Sequence, residues 1–131
     1  MRNAAREAAL NIIFAQQFNT DCLDALKKKV FKQFQLTKEE DVAFASELIA
    51  TVETHKAELI NGIEDACHHY KENRINPTDK SILLIAMAEI LYFEEIPNVV
   101  SVSEAAGLAK KYSTEKSADF VNGVLAGVIN K

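Results

Sequence analysis

The sequence predicts an all-α fold wrapped around one buried central helix, and three observations carry that reading. Residues 81–93 run Ser-Ile-Leu-Leu-Ile-Ala-Met-Ala-Glu-Ile-Leu-Tyr-Phe, apolar on nearly every side of a helix, so the segment has no face to give to water. Only two prolines and four glycines occur in 131 residues, too few turn residues for a sheet protein, whereas Ala, Leu, Ile, Lys and Glu abound. The other segments read as amphipathic helices able to pack around the apolar one. A membrane span needs about 20 apolar residues in a row, and this run is shorter and carries Glu89. The length fits a single domain, residues 1–131, that can bury a core without metal or disulfide.

From Asn3 to Phe18, Ala5, Ala8, Ala9, Ile12, Ile13 and Ala15 form a helical stripe, with Arg2 and Arg6 four apart on one side. Two readings of that arginine pair stay open here: solvated charge near a chain end, and contact with phosphates. Phe14 and Phe18 are another i, i+4 pair, a spacing that more often packs a core than stacks on bases. After Thr20-Asp21, Leu23, Leu26, Val30 and Phe34 recur at helical spacing, with a run of lysines (Lys27, Lys28, Lys29, Lys32) on the opposite face. Such a run is usually a solvated surface and less often a phosphate contact.

Thr37-Lys38-Glu39-Glu40 fits a capping box, the threonine oxygen taking a backbone N–H three residues on while Glu40 reaches back. The helix it opens offers Val42, Phe44, Leu48, Ile49 and Val52 to the core. A further helix to about Asn73 offers Leu59, Ile60, Ile63, Ala66, Cys67 and Tyr70, with Gly62 as a close-packing point. Asn76-Pro77-Thr78-Asp79 is the start signal of the central helix, and Glu94-Glu95-Ile96-Pro97-Asn98 breaks it. After a short β-branched run at Val99, Val100 and Val102, Ser101-Val102-Ser103-Glu104 supplies a second capping-box pattern. It opens a helix through Tyr112 with Ala105, Leu108, Ala109 and Tyr112 buried, and Lys110-Lys111 suit its C-terminal dipole end. The last helix carries Ala118, Phe120, Val121, Val124, Leu125 and Val128, and its Gly123-x-x-x-Gly127 is expected to mark tight helix packing.

The formal charge of −4 argues against a generic basic nucleic-acid binder, but the charge is unevenly spread. Residues 19–36 carry four lysines against two aspartates, whereas residues 37–66 carry eight acids against two lysines. A basic first quarter therefore faces an acidic middle. Cys22 and Cys67 match no metal or redox spacing, His55 stands alone, and the neighbours His68 and His69 point about 100° apart on a helix and cannot converge on one ion. The sequence holds no nucleophile-elbow serine, no glycine loop to cradle a nucleotide and no Cys–His arrangement. No catalytic residue, metal or cofactor is expected, and the chain reads as a non-enzyme. Without a signal peptide or lipidation motif it is expected in the cytoplasm, with reduced thiols and no membrane partner.

Ile96-Pro97-x-x-Val100-x-Val102-Ser103-Glu104-Ala105-x-x-Leu108-Ala109-Lys110-Lys111-Tyr112, followed after a short loop by Phe120-Val121-Asn122-Gly123-Val124-Leu125, resembles the C-terminal signature of the NusB family of bacterial transcription antitermination factors. Ala5-Arg6-Glu7-x-Ala9-Leu10 and the lead-in Arg74…Asp79…Ile82-Leu83 are similar too, so the resemblance spans almost the whole chain in order. It implies about seven helices in two packed bundles. It also implies a role in binding: with a NusE-type ribosomal protein, on boxA-like single-stranded RNA, during antitermination and ribosomal RNA transcription, and through both with the transcription elongation complex. By that resemblance Arg2 and Arg6 meet RNA phosphates, Phe14 and Phe120 lie near the RNA, and Asp79, with Tyr70 and Arg74 beside it, belongs to the partner-protein surface. Lys110, Lys111 and Lys116 flank Phe120 and Asn122 and extend the basic patch.

The chain also departs from the family pattern. Only Arg2 and Arg6 stand where the family shows several arginines, Ser103 replaces a usual Asn, and Gly107 a usual Glu. Leu84 stands where an Arg commonly follows the Ile-Leu pair, which leaves the shared Glu89 in need of another partner. A second reading therefore stands beside the first: a NusB-like protein-interaction or homodimerising module with weakened or lost RNA binding. Monomer and homodimer are both compatible with the sequence. NusB-like domains fused to RNA cytosine methyltransferases give a third, minor reading, since no room for a methyl-donor domain is expected in this length.

Overall fold

The computed structural model describes residues 3–18, 22–67 and 75–129, and every regular element among them is helical. In order these are α1 (Asn3–Gln16), α2 (Leu23–Gln33), α3 (Glu39–Ala66), α4 (Pro77–Tyr92), α5 (Asn98–Tyr112) and α6 (Glu115–Ile129). No described helix is long and apolar enough to cross a membrane.

The other helices are arranged around α4, as its sequence predicts. The Asn76 side chain accepts from the Asp79 N–H at 2.8 Å, and Pro77 fills the first position, where no donor is required. Every residue from Ser81 to Glu89 is buried. Helix α1 packs on α3 and carries α2 in an N-terminal bundle, α5 and α6 pack with α4 in a C-terminal one, and α3 lies against α4 to join them.

The pair of helices expected between residues 37 and 73 is one 28-residue helix, α3, bent at His55, where φ of −111° and ψ of 19° interrupt the coil without ending it. Six helices lie among the described residues, in keeping with an all-α fold of about seven. The bend is covered by aromatic contact: the His55 ring stacks on Tyr92 at 4.1 Å, and the Tyr92 hydroxyl donates to Glu58 at 2.6 Å.

Neither predicted capping box forms. Helix α3 begins after an extended Lys38 with no side-chain cap, which puts Thr37 one residue too early; its first turn instead gathers Glu39, Glu40 and Asp41 at the positive end of the helix dipole. Helix α5 begins directly after Pro97, whose carbonyl accepts from the Val100 and Ser101 N–H groups. The valine run is thereby its first turn, and Ser101 is buried within it.

Gly62 does mark a close approach, because a Cβ there would stand 2.6 Å from Met87 Cε on α4. The Gly123 and Gly127 pair does not. Both are exposed; a Cβ on Gly123 would meet nothing within 4 Å, and one on Gly127 would only reach Ala66 at 4.0 Å.

Candidate nucleic-acid interface

Arg6 lies inside the protein, not on an RNA-facing surface. Its Nε donates to Glu89 Oε2 at 2.9 Å and its Nη2 to Glu89 Oε1 at 2.7 Å, with Arg6 only 4% exposed. Ser101 Oγ donates to the same carboxylate at 3.2 Å, Glu104 approaches Nη1 at 3.8 Å, and the Phe44 ring lies 5.4 Å from the guanidinium carbon. A planar fork gripping both carboxylate oxygens is the geometry in which a buried charge pair is best satisfied. Arg6 thus ties α1 to α3, α4 and α5, and it is the partner that Glu89 needed. The expectation that Arg6 contacts phosphate is corrected on this ground. Arg2, Tyr70, Arg74 and the His68-His69 pair lie outside the described residues.

Lys111 is likewise engaged. Its ammonium and the Tyr112 hydroxyl both donate to Glu7 Oε1, the hydroxyl at 2.8 Å, and these bonds hold the end of α5 against α1. The Glu7 contact raises the Lys111 pKa, while partial burial first, and Glu7 second, raise that of Tyr112. Helical spacing placed Tyr112 inward; its ring is instead partly exposed, because the hydroxyl turns out to reach Glu7 across the helix boundary.

Tyr112 and Phe14 line a shallow groove of about 160 Å³ with Leu10, Asn11 and Thr78. Phe14 in turn meets Phe18 edge-on, ring centres 5.2 Å apart. The three rings make a row of partly exposed aromatics, so the i, i+4 phenylalanine pair serves the surface more than the core. Lys110 and Asn122 line a separate open groove of about 400 Å³ between α5 and α6, with Gly107 and Asp119. Lys116 is exposed and Phe120 half-buried, four apart on α6, Phe120 packing partly on the core. The structure therefore brings Lys110 and Asn122 together and sets Phe14 with Tyr112, a residue that sequence reasoning did not assign to the site.

Asp79 also lies beneath the surface, 5% exposed. Its Oδ2 accepts from Asn76 Nδ2 and from Ser117 Oγ, each at 3.1 Å, linking the start of α4 to the start of α6. Its Oδ1 is buried with no partner among the described residues. Burial raises the Asp79 pKa, opposed by the Ser117 and Asn76 hydrogen bonds. Among the described residues no group of three or more His, Cys, Asp or Glu gathers to hold a metal, and Cys22 and Cys67 are both free.

The NusB family model matches residues 3–130. The chain belongs to the NusB family. Transcription antitermination protein NusB of Finegoldia magna is 35% identical over 130 residues, covering 99% of this chain and 94% of the relative. That of Clostridium novyi is 37% identical over 130 residues, covering 98% and 97%. A crystal structure of the antitermination factors NusB and NusE in complex with double-stranded RNA holds a chain that superposes with a TM-score of 0.90 at 23% identity, covering 98% of this chain and 96% of that one. T. maritima NusB superposes with a TM-score of 0.91 at 24% identity, covering 100% and 92%. At these identities the structural likeness is one of fold. In this member of the NusB family the aromatic row faces outward while the Arg6 charge is spent inside.

Proposed function

We propose that the chain is an RNA-binding antitermination factor that acts with a NusE-type ribosomal protein on boxA-like single-stranded RNA during ribosomal RNA transcription. The observation that carries this reading is the exposed row of Tyr112, Phe14 and Phe18, with Lys110 on another side of α5. Unpaired bases stack on such rings while lysines meet the backbone, and sequence is read from the splayed bases. Membership of the NusB family supports the partner and the process, since relatives are named as antitermination proteins and a NusB is solved with NusE and RNA. The chain works by binding, not catalysis, in the cytoplasm, and reaches the elongation complex through the RNA and the ribosomal protein. By the family resemblance Tyr70, Arg74 and Asp79 serve the protein partner, and Asp79 also fixes the first turn of α4 from below.

The test is binding of a boxA-type single strand, alone and premixed with the NusE-type protein, at several salt concentrations, with the same sequence as a duplex for comparison. The expected result is tighter binding of the single strand than of the duplex, a gain on adding the protein partner, and a salt slope of about −0.7 per phosphate contact. Phe14→Ala should weaken the single strand by about 1–3 kcal/mol, the worth of one stacked base. Preference for the duplex would overturn the single-strand reading. Capture of the protein partner without any RNA binding would establish the second reading, a protein-interaction module, which the engagement of Arg6 and Lys111 by Glu89 and Glu7 favours.

A further inference from the structure

Two cations assigned to phosphate from the sequence are held by carboxylates, Arg6 by Glu89 and Lys111 by Glu7. The densest exposed positive charge lies elsewhere, on α2. Lys28, Lys29 and Lys32 are all exposed, while Leu23, Leu26 and Val30 on the opposite side pack inward. None of the three lysines makes an ion pair among the described residues, and Asp24 is the only acid on their helix. Lys27 differs, its ammonium lying 5.9 Å from the centre of the Phe31 ring.

Helix α2 follows the aromatic row in the chain and doubles back along α1, its end at Phe34 lying by Asn3 and Ala4. Helix α2 packs on α1, and the chain leaves α1 at Phe18, the most exposed of the three rings at 65%. Five residue steps from Phe18 to Leu23 span at most about 18 Å of extended chain. Lys28 follows about 8 Å further along the helix axis and Lys32 about one more turn on. Exposed positive charge therefore follows the ring row in the chain, on the outward side of α2. In a chain whose residues 37–66 carry eight acids against two lysines, an isolated basic face of this kind steers a polyanion to one side.

We propose that the α2 face of Lys28, Lys29 and Lys32, entered over Phe18, is a second phosphate-binding surface that extends the RNA footprint beyond the Tyr112–Phe14 groove. The proposal rests on the RNA-binding reading above. Single-stranded RNA fits this surface because its backbone can follow separated lysines while one base stacks on the Phe18 ring. An acidic protein segment would use the charges but not the unstacked ring.

The test compares wild type with the triple variant Lys28→Gln/Lys29→Gln/Lys32→Gln and with Phe18→Leu, each premixed with the NusE-type protein. Two single-stranded RNAs are used, a boxA-type core and the same core lengthened at both ends, over a salt series. All four positions are exposed, and circular dichroism with thermal unfolding verifies that the variants fold. The expected result is a slope for the long RNA shallower by about 2 in the triple variant, three contacts at about 0.7 each, with the core RNA little affected. Phe18→Leu should weaken the long RNA several-fold at unchanged slope. Long-RNA binding by the triple variant with the wild-type slope would overturn the α2 surface while leaving the antitermination reading intact. Loss of NusE-type protein capture in the triple variant, again with the RNA slope unchanged, would assign the face to a protein and overturn it too. Absence of RNA binding by wild type would overturn the parent reading, and the proposal with it.

Discussion

Arg6 and Glu89 stand 83 positions apart in the chain and are joined by two parallel hydrogen bonds in a site sealed from water. Removing the cation alone leaves a carboxylate buried with only Ser101 to bond it. Arg6→Ala should therefore cost about 3–5 kcal/mol of stability in urea denaturation, and replacing both partners by Met should restore most of it. The same variant separates structure from RNA contact. Measured on the folded fraction, its RNA salt slope should match wild type; a slope shallower by one contact would return Arg6 to the phosphates.

Lys110 and Lys111 are neighbours with different duties. Lys111 is bound to Glu7, whereas Lys110 lines the open groove with Asn122. Lys110→Gln should make the RNA salt slope shallower by about 0.7, and Lys111→Gln should change it less. Equal changes would show that RNA displaces Lys111 from Glu7.

Asp79 gives the fold a pH dependence of defined sign. Burial raises its pKa, so between its unfolded and folded values the native chain holds a proton that the unfolded chain has released. Its contribution to stability is full below that window and falls as pH rises through the folded value. Asp79→Asn keeps an acceptor for Ser117 and does not ionise. The stability of wild type relative to this variant should fall as pH rises above the ordinary carboxyl range in urea denaturation. A constant difference would mean that Asp79 is ionised in the native state throughout.

The glycines predict opposite responses to one substitution. Gly107 and Gly123 have open space where a Cβ would go, so alanine at either should add about 0.8–1 kcal/mol of stability through helix propensity. Gly62→Ala drives a methyl toward Met87 Cε and should lose about 1–3 kcal/mol by overpacking. Met87→Leu, which withdraws that terminal methyl, should reduce the loss, and a thermal-unfolding double-mutant cycle measures the coupling.

The central helix was legible because its signals are local: an unbroken apolar run and the Asn76-Pro77 start sit within a few residues of one another. The capping boxes failed for the same reason. A Ser or Thr three residues before Glu describes a local option, and at α5 Pro97 had already nucleated the turn four residues ahead of Ser101. The bend at His55 is stacked on by Tyr92 from another helix, a contact that no window around residue 55 contains. Site residues were read with the same limit. The i, i+4 spacing of Phe14 and Phe18 pointed to the core while the rings are exposed, the withdrawal of Arg6 needs Glu89, and the outward turn of Tyr112 needs Glu7. Charges and polar aromatics are positioned by partners far away in sequence, and periodicity alone is blind to them.

The Arg6–Glu89 bond also fixes an order of events during synthesis. Arg6 precedes its carboxylate partner by 83 positions; that partner comes only with α4, and the supporting Ser101 follows later still. Docking α1 before then would bury a guanidinium with nothing to neutralise it. The first helix of the nascent chain therefore seats with its charge paired only once α4 has been made, so closure of the N-terminal bundle waits for the central helix.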